Sequence, residues 1–287
     1  MAKFVSIYDG TDPGATPGRI FTASIGDETI VPEDKFLDHL LIGLKGAVST
    51  AAVAIEDFVG VFSEYSFKAG AETRLQLSFR QLIALMSFYY GELPQIWENT
   101  DATGNNFVFG VKVPVQEIAD PTRPLHHAAT RTAVPNISTE TLAITGVYYK
   151  DAKGKKPIHA VRIPFTTAAA AGYDQMGVTI PPIGDLIGVI LQQVNVFADG
   201  NIDVSVQRAA MYVNGQPHSK LNACAFSGGW AGRSVGVLDP MDDLLNPFVF
   251  FDMREDPIDL TTSKVEFALD VEDVSDAVTL IPVIQKK

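Results

Sequence analysis

Cysteine is almost missing from this chain of 287 residues, with Cys224 standing alone. One thiol excludes an intrachain disulfide framework and fits assembly in a reducing cytoplasm. Its neighbours, Ala223, Ala225 and Phe226, are apolar, so Cys224 reads as a buried inert thiol in preference to a nucleophile. Basic residues are outnumbered, 22 Lys and Arg against 34 Asp and Glu, for a formal net charge of −12. That balance excludes a surface built to neutralise nucleic-acid phosphates, which draws on clustered Lys and Arg. No stretch approaches the roughly 20 consecutive apolar residues that span a bilayer, and the run Met1 to Tyr8 meets Asp9 before a secretory signal could form. The expectation is a soluble protein. Trp97 and Trp230 are isolated, without the series of aromatics that stacks bases or sugars.

What is present is material for packed cores: 46% hydrophobic residues against 20% charged, with a mean hydropathy of +0.13. Length alone fits about two domains of ordinary size, and an internal repeat favours two. Thr29 to Leu41 realigns without a gap on Thr179 to Leu191, sharing the Thr-Ile start and a proline (Pro32, Pro182). Large apolar residues match at Phe36/Leu186, Leu37/Ile187, Leu40/Ile190 and Leu41/Leu191. Two further echoes follow in the same order. Asn105 to Phe109 returns as Asn246 to Phe250, and Ser138 to Ile144 returns as Thr261 to Phe267. The offset shrinks along the chain, as it would if the second copy had shorter loops. The domains expected are 1–150, with an N-terminal arm, and 151–287, joined by the charged run 150–157.

Turn formers fill residues 9–18, so the first strand is expected at about 19–25. Further strands are read at 36–48, where Gly43 and Gly46 disfavour a helix, then at 59–67, 73–77, 107–115 and 141–149. Phe107, Phe109, Val111, Val113 and Val115 alternate on one face, the clearest period of two in the chain. Ser78 to Tyr90 is the best helix, with a serine to cap it and Gly91 where it would stop. Residues 116–137 hold three prolines and read as a long crossing connection. In the second half, strands are expected at 158–165, 186–197, 202–206, 209–213, 248–251, 265–271 and 277–284, and 168–172 as a loop or short helix. Asp199-Gly200-Asn201 and Asn214-Gly215 mark hairpins. Strands joined by proline and glycine loops, without strand–helix alternation, indicate antiparallel sandwiches with Greek-key wiring, of which a jelly roll is the eight-strand form.

No reactive constellation emerges, and no catalytic, cofactor-binding or metal residue is assigned. His39, His126, His127, His159 and His218 make none of the short spacings that hold zinc or iron. His126 and His127 are adjacent, and adjacent residues on an extended chain point to opposite sides. Ser227 to Ser234 lacks the Gly-Lys-Ser/Thr ending of a phosphate loop and reads as a plain glycine-rich loop. Asp239, Asp242, Asp243, Asp252, Glu255 and Asp256 lack calcium-loop spacing and read as solvated carboxylates.

The order Pro32-x3-Phe36-Leu37-x2-Leu40-Leu41-Ile42-x-Leu44, the glycine-containing run after it, the strand around Phe62 to Phe67, Leu77-Ser78-x3-Leu82 on a short helix, and the strand 107–115 with Pro114 resemble half of a double jelly-roll major capsid protein. That lineage of tailless icosahedral viruses includes tectiviruses, corticoviruses and adenovirus hexon. The resemblance implies an all-β chain of two tandem jelly-roll sandwiches with one short flanking helix. It implies a structural, non-catalytic shell subunit without cofactors, forming homotrimeric, pseudo-hexagonal capsomers in the virion and assembled in the host cytoplasm. Its partners would be neighbouring capsomers, minor capsid and vertex proteins, and an internal viral membrane near the chain ends, where Lys3, Lys286 and Lys287 could meet anionic head groups. One departure is that 221–236 is glycine-rich and offers no counterpart of the helix 78–90. A single upright jelly roll with an inserted outer domain therefore stays open, as does a virion spike or other receptor- or carbohydrate-binding β-sandwich.

Overall fold

The computed structural model describes residues 2–8, 19–20, 24–32, 34–48, 55–98, 106–135, 137–166, 172–192, 195–198, 201–204, 206–222, 245, 248–271 and 277–287. The chain forms two compact units, Met1–His159 and Ala160–Lys287.

The first unit contains β1 (Lys3–Tyr8), β2 (Arg19–Ile20), β3 (Ile25–Ile30), β4 (Phe36–Val48), α1 (Ile55–Gly60), β5 (Phe62–Ala69), β6 (Glu72–Leu77), α2 (Phe79–Tyr90), β7 (Gln95–Glu98), β8 (Asn106–Ile118), β9 (Leu125–Arg131) and β10 (Ile137–Tyr149). One sheet runs β1-β10-β4-β8-β7, with β2 also on β10. The other runs β6-β5-β9-β3. Leaving out the short β2 and β7 and numbering the remaining strands in chain order, the sheets read 1-8-3-6 and 2-7-4-5. This is jelly-roll wiring.

Period-two burial explains why these strands form where they do. Leu40, Ile42 and Leu44 of β4 are at most 1% exposed, and the register sets them beside Val113, Val111 and Phe109 of β8. On the other flank Ile42 and Leu44 meet Ile144 and Leu142 of β10, so apolar rows cross the sheet and face inward. α2 begins with a full capping box, Ser78 Oγ accepting from Gln81 N while Gln81 Oε1 accepts from Ser78 N. It stops at Gly91, whose φ of 66° suits a left-handed cap. Phe58 of α1, Phe62, Phe79 of α2 and Phe109 then close the sandwich as an aromatic cluster, with ring centroids 5.2 to 6.2 Å apart.

At the join lies β11 (Ile158–Val161). The second unit contains β12 (Ile163–Thr166), β13 (Gly172–Thr179), β14 (Gly184–Gln192), β15 (Asn195–Ala198), β16 (Asn201–Val204), β17 (Val206–Val213), β18 (Gln216–Asn222), β19 (Phe248–Asp252), β20 (Ile258–Asp259), β21 (Val265–Val271) and β22 (Ala277–Lys286). One sheet runs β12-β22-β14-β19 and the other β13-β21-β17-β18. Without the β15–β16 hairpin and β20, which pairs with β14, the order is again 1-8-3-6 and 2-7-4-5. Leu186, Val189, Leu191, Val249, Leu280 and Ile284 from one sheet meet Val178, Met211, Val265, Phe267 and Leu269 from the other in one core. Phe251 and Phe267 touch edge-to-face across it at 5.2 Å. The chain is a double jelly roll.

Several expectations need correction. The first strand is Lys3–Tyr8, not 19–25, because β1 is held by pairing with the distant β10 and not by any local pattern. Residues 55–60 form α1, so β5 starts only at Phe62. The supposed connection 116–137 contains a full strand, β9, in which Leu125, His127 and Ala129 are buried and alternate with more exposed partners. Within 168–172, Gly172 opens strand β13, while 167–171 lie outside the described residues. The first two repeat echoes match equivalent strands, β4 with β14 and β8 with β19. The third does not: Ser138 to Ile144 lies on the last strand of its unit, β10, while Thr261 to Phe267 leads into the next-to-last strand, β21, and the counterpart of β10 is β22. Similar β-rich strings occur on any buried strand, so the resemblance carried no position. Of 221–236, read as offering no counterpart of the helix 78–90, Leu221 and Asn222 end strand β18 and the remainder lies outside the described residues.

Glycine packing tests the second sandwich directly. A methyl on Gly184 would run into the backbone carbonyl of Gln285, whereas one on Gly26 would meet nothing within 4 Å. Gly184→Ala should therefore lower stability by at least about 2 kcal/mol and Gly26→Ala should leave it unchanged or raised by less than about 1 kcal/mol, both read from urea unfolding.

Candidate functional site: one end of the first sandwich

The connections 31–35, 70–71 and 119–124 gather at one end of the first sandwich, tied by Gly70 N donating to Pro124 O and Ala119 N to Lys35 O, both at 2.8 to 2.9 Å. β1 starts there and β10 finishes there, since Lys3 pairs with Tyr148. Three large apolar side chains stand out at this end: Phe4 is 66% exposed, Val31 74% and Ile118 53%. Phe4 lies on β1, the terminal strand of its sheet among the described residues.

Beneath these side chains the end is pinned by buried charge. Arg74, 2% exposed on β6, donates from Nε to Glu117 Oε2 at 2.8 Å, and Glu117 is 3% exposed at the end of β8. Arg74 Nη1 approaches Glu72 Oε1 to 2.8 Å, and Arg123 Nη2 stands 3.9 Å from Glu117 Oε1. The strand before Glu117 is bent at Gln116, whose φ of 54° is left-handed and whose amide donates to Tyr89 Oη of α2 at 2.6 Å. Nearby, both oxygens of the buried Asp38 are taken, Oδ2 by His39 Nδ1 at 2.8 Å and Oδ1 by Lys155 Nζ at 2.5 Å.

No group of three metal-ligating side chains occurs among the described residues. His126 faces outward to Thr29, while His127 faces the core between Tyr8 and Tyr65. His127 Nδ1 and Tyr65 Oη have no hydrogen-bond partner among the described residues. Burial holds the His127 pKa down at about 4, although Asp27 pulls it up. The same desolvation, with Tyr148 alongside, raises that of Tyr65. Asp252 is bound by Arg254 at 2.5 Å. Cys224, Trp230, Ser227 to Ser234, Asp239, Asp242 and Asp243 lie outside the described residues. Lys287 is spent within the chain: Nζ lies 2.5 Å from Asp259 and 3.1 Å from Asp185. Lys287 draws the Asp259 carboxyl down to about 2. The Arg74–Glu117 pair was missed in the sequence because its members are 43 positions apart.

Two measurements follow from these buried groups. With a folded pKa near 4 and an ordinary value of 6.5, His127 takes up its proton more readily in the unfolded chain, so stability falls as pH drops below about 6.5 and the loss is complete below about 4. His127→Gln should remove up to about 3 kcal/mol of that acid loss, seen by comparing urea unfolding at pH 7 and pH 4. Arg74→Met should cost about 3–5 kcal/mol by stranding Glu117, and Arg74→Met with Glu117→Met should recover most of it, read the same way.

No family model matches the sequence, and no curated protein matches it. Solved structures do. The STIV major capsid protein superposes with a TM-score of 0.70 at 13% identity, over 99% of this chain and 97% of that one. The atomic structure of Sulfolobus Turreted Icosahedral Virus gives 0.69 at 15%, over 99% and 91%. The major capsid protein P2 from bacteriophage PM2 gives 0.56 at 10%, over 100% and 98%. At these identities the likeness is one of fold, and the fold is that of double jelly-roll capsid proteins of icosahedral viruses.

Proposed function

We propose that this chain is a major capsid protein, a shell subunit and not an enzyme, which assembles as homotrimers of pseudo-hexagonal outline. The observation that carries the reading is the duplication itself: one jelly-roll strand order written twice among the described residues. A trimer of such chains presents six similar sandwiches, the outline needed to tile a shell. Support comes from the nearly full-length match to capsid subunits, from rigid ionic pinning at one end of the first sandwich, and from apolar side chains left exposed there. A shell subunit needs broad lateral contacts and stiff sandwiches, and needs no reaction centre. In this reading the chain belongs to the virion, is assembled in the host cytoplasm, and meets neighbouring capsomers, minor capsid and vertex proteins, and an internal membrane near its ends. The two domains are 1–150 and 151–287 in outline.

Sedimentation velocity of the purified chain, followed by electron microscopy of the same sample, tests this. A stable trimer of hexagonal outline is the expected result, and a monomer that persists at high concentration would overturn it.

A further inference from the structure

Asp38 sits near the start of β4 with 5% of its surface exposed, where a carboxylate is stable only with partners. Each of its oxygens has one, His39 on Oδ2 and Lys155 on Oδ1. His39 is packed edge-on against Tyr90 of α2 at 6.4 Å. The face of Tyr90 carries Lys112 Nζ at 3.9 Å, and Lys112 reaches on to Glu92 at 3.4 Å. Burial alone would raise the Asp38 pKa, but the bonds from His39 and Lys155 outweigh it and keep it below the ordinary carboxylate value.

Lys155 belongs to the charged run 150–157, which by composition is a loose tether. The run is folded before it reaches Asp38. Lys153 N donates to Asp151 Oδ1 at 3.1 Å, and Lys155 N donates to Ala152 O at 2.9 Å. Lys153 and Gly154 both take left-handed backbone angles, φ 49° and 76°. The glycine adopts this at no steric cost and the lysine does not, so the bend needs its surroundings to hold it. The salt link from Lys155 to Asp38, 117 positions away in sequence, is a long-range contact that does so.

We propose that 150–157 is a docked strap, latched onto the first sandwich by Asp38 and Lys155, and that release of this latch frees the connecting segment while both sandwiches stay folded. The latch closes on a carboxylate already oriented by His39.

Limited trypsin digestion of the full chain at neutral pH tests the strap, with cuts after Lys150 and Lys153 mapped by mass spectrometry. Cleavage inside an ordered segment requires local opening first. The expected result is slow cutting in the parent chain and cutting faster by about tenfold or more in Lys155→Gln, with Lys155→Arg restoring resistance and the unfolding midpoint of Lys155→Gln close to that of the parent. The Lys155 side chain is 46% exposed, so its loss removes the latch without opening a core. Asp38→Asn should accelerate the same cuts. Equal rates in the parent and Lys155→Gln would overturn the proposal, as would acceleration accompanied by general fragmentation of the first sandwich.

Discussion

Each large sheet of the two sandwiches turns apolar side chains inward among the described residues, and nothing in a single sheet can cover them. That constraint organises the whole chain. Rows such as Ile144, Ile42 and Val111 are continuous across three strands drawn from widely separated parts of the sequence, and they are dry only because a second sheet lies over them. The jelly roll is the wiring that divides the strands between the two sheets: one sheet is finished only when the last strand, β10 or β22, slots between the first and the third, and the other when the next-to-last, β9 or β21, slots between the second and the fourth. Closure therefore comes late in the chain and depends on non-local pairing.

The same closure explains where charge is tolerated. Polar groups inside a sandwich are costly unless paired, and two buried ion pairs of the first unit lie near its margin. Arg74 and Glu117 join strands of opposite sheets at the end where the connections gather, and Asp38 holds a strap from beyond the last strand. These pairs tie together elements that are far apart in the chain. His127 is the exception, a titratable ring carried into the core by the alternation of β9. Its burial disfavours the protonated ring.

Several elements were plain in the amino-acid order. β4, β8 and α2 carry strong local signals: period-two alternation, or a capping serine with a terminal glycine. Asn214-Gly215 marks its hairpin because both residues take positive φ, at 51° and 76°. β9 was hidden because Leu-His-His-Ala-Ala-Thr-Arg has little intrinsic strand preference and is flanked by prolines. Its state is set by two neighbours, β3 and β5, which no local window contains. The candidate surface was less legible still. Nothing in the neighbourhoods of Phe4, Val31 and Ile118 marks them as exposed, and each looks like a core residue on its own.

By itself the sequence determined the class of fold: little cysteine, scattered histidine, an acidic balance and a repeated β pattern leave a doubled sandwich and no metal chemistry of familiar spacing. Tertiary structure alone decided that strand at Lys3–Tyr8, the pairing of Arg74 with Glu117, and the docking of Lys155 on Asp38. The physical reason is common to all three. Each is an interaction between groups far apart in the chain, whose energy exists only once the sheets have brought them together.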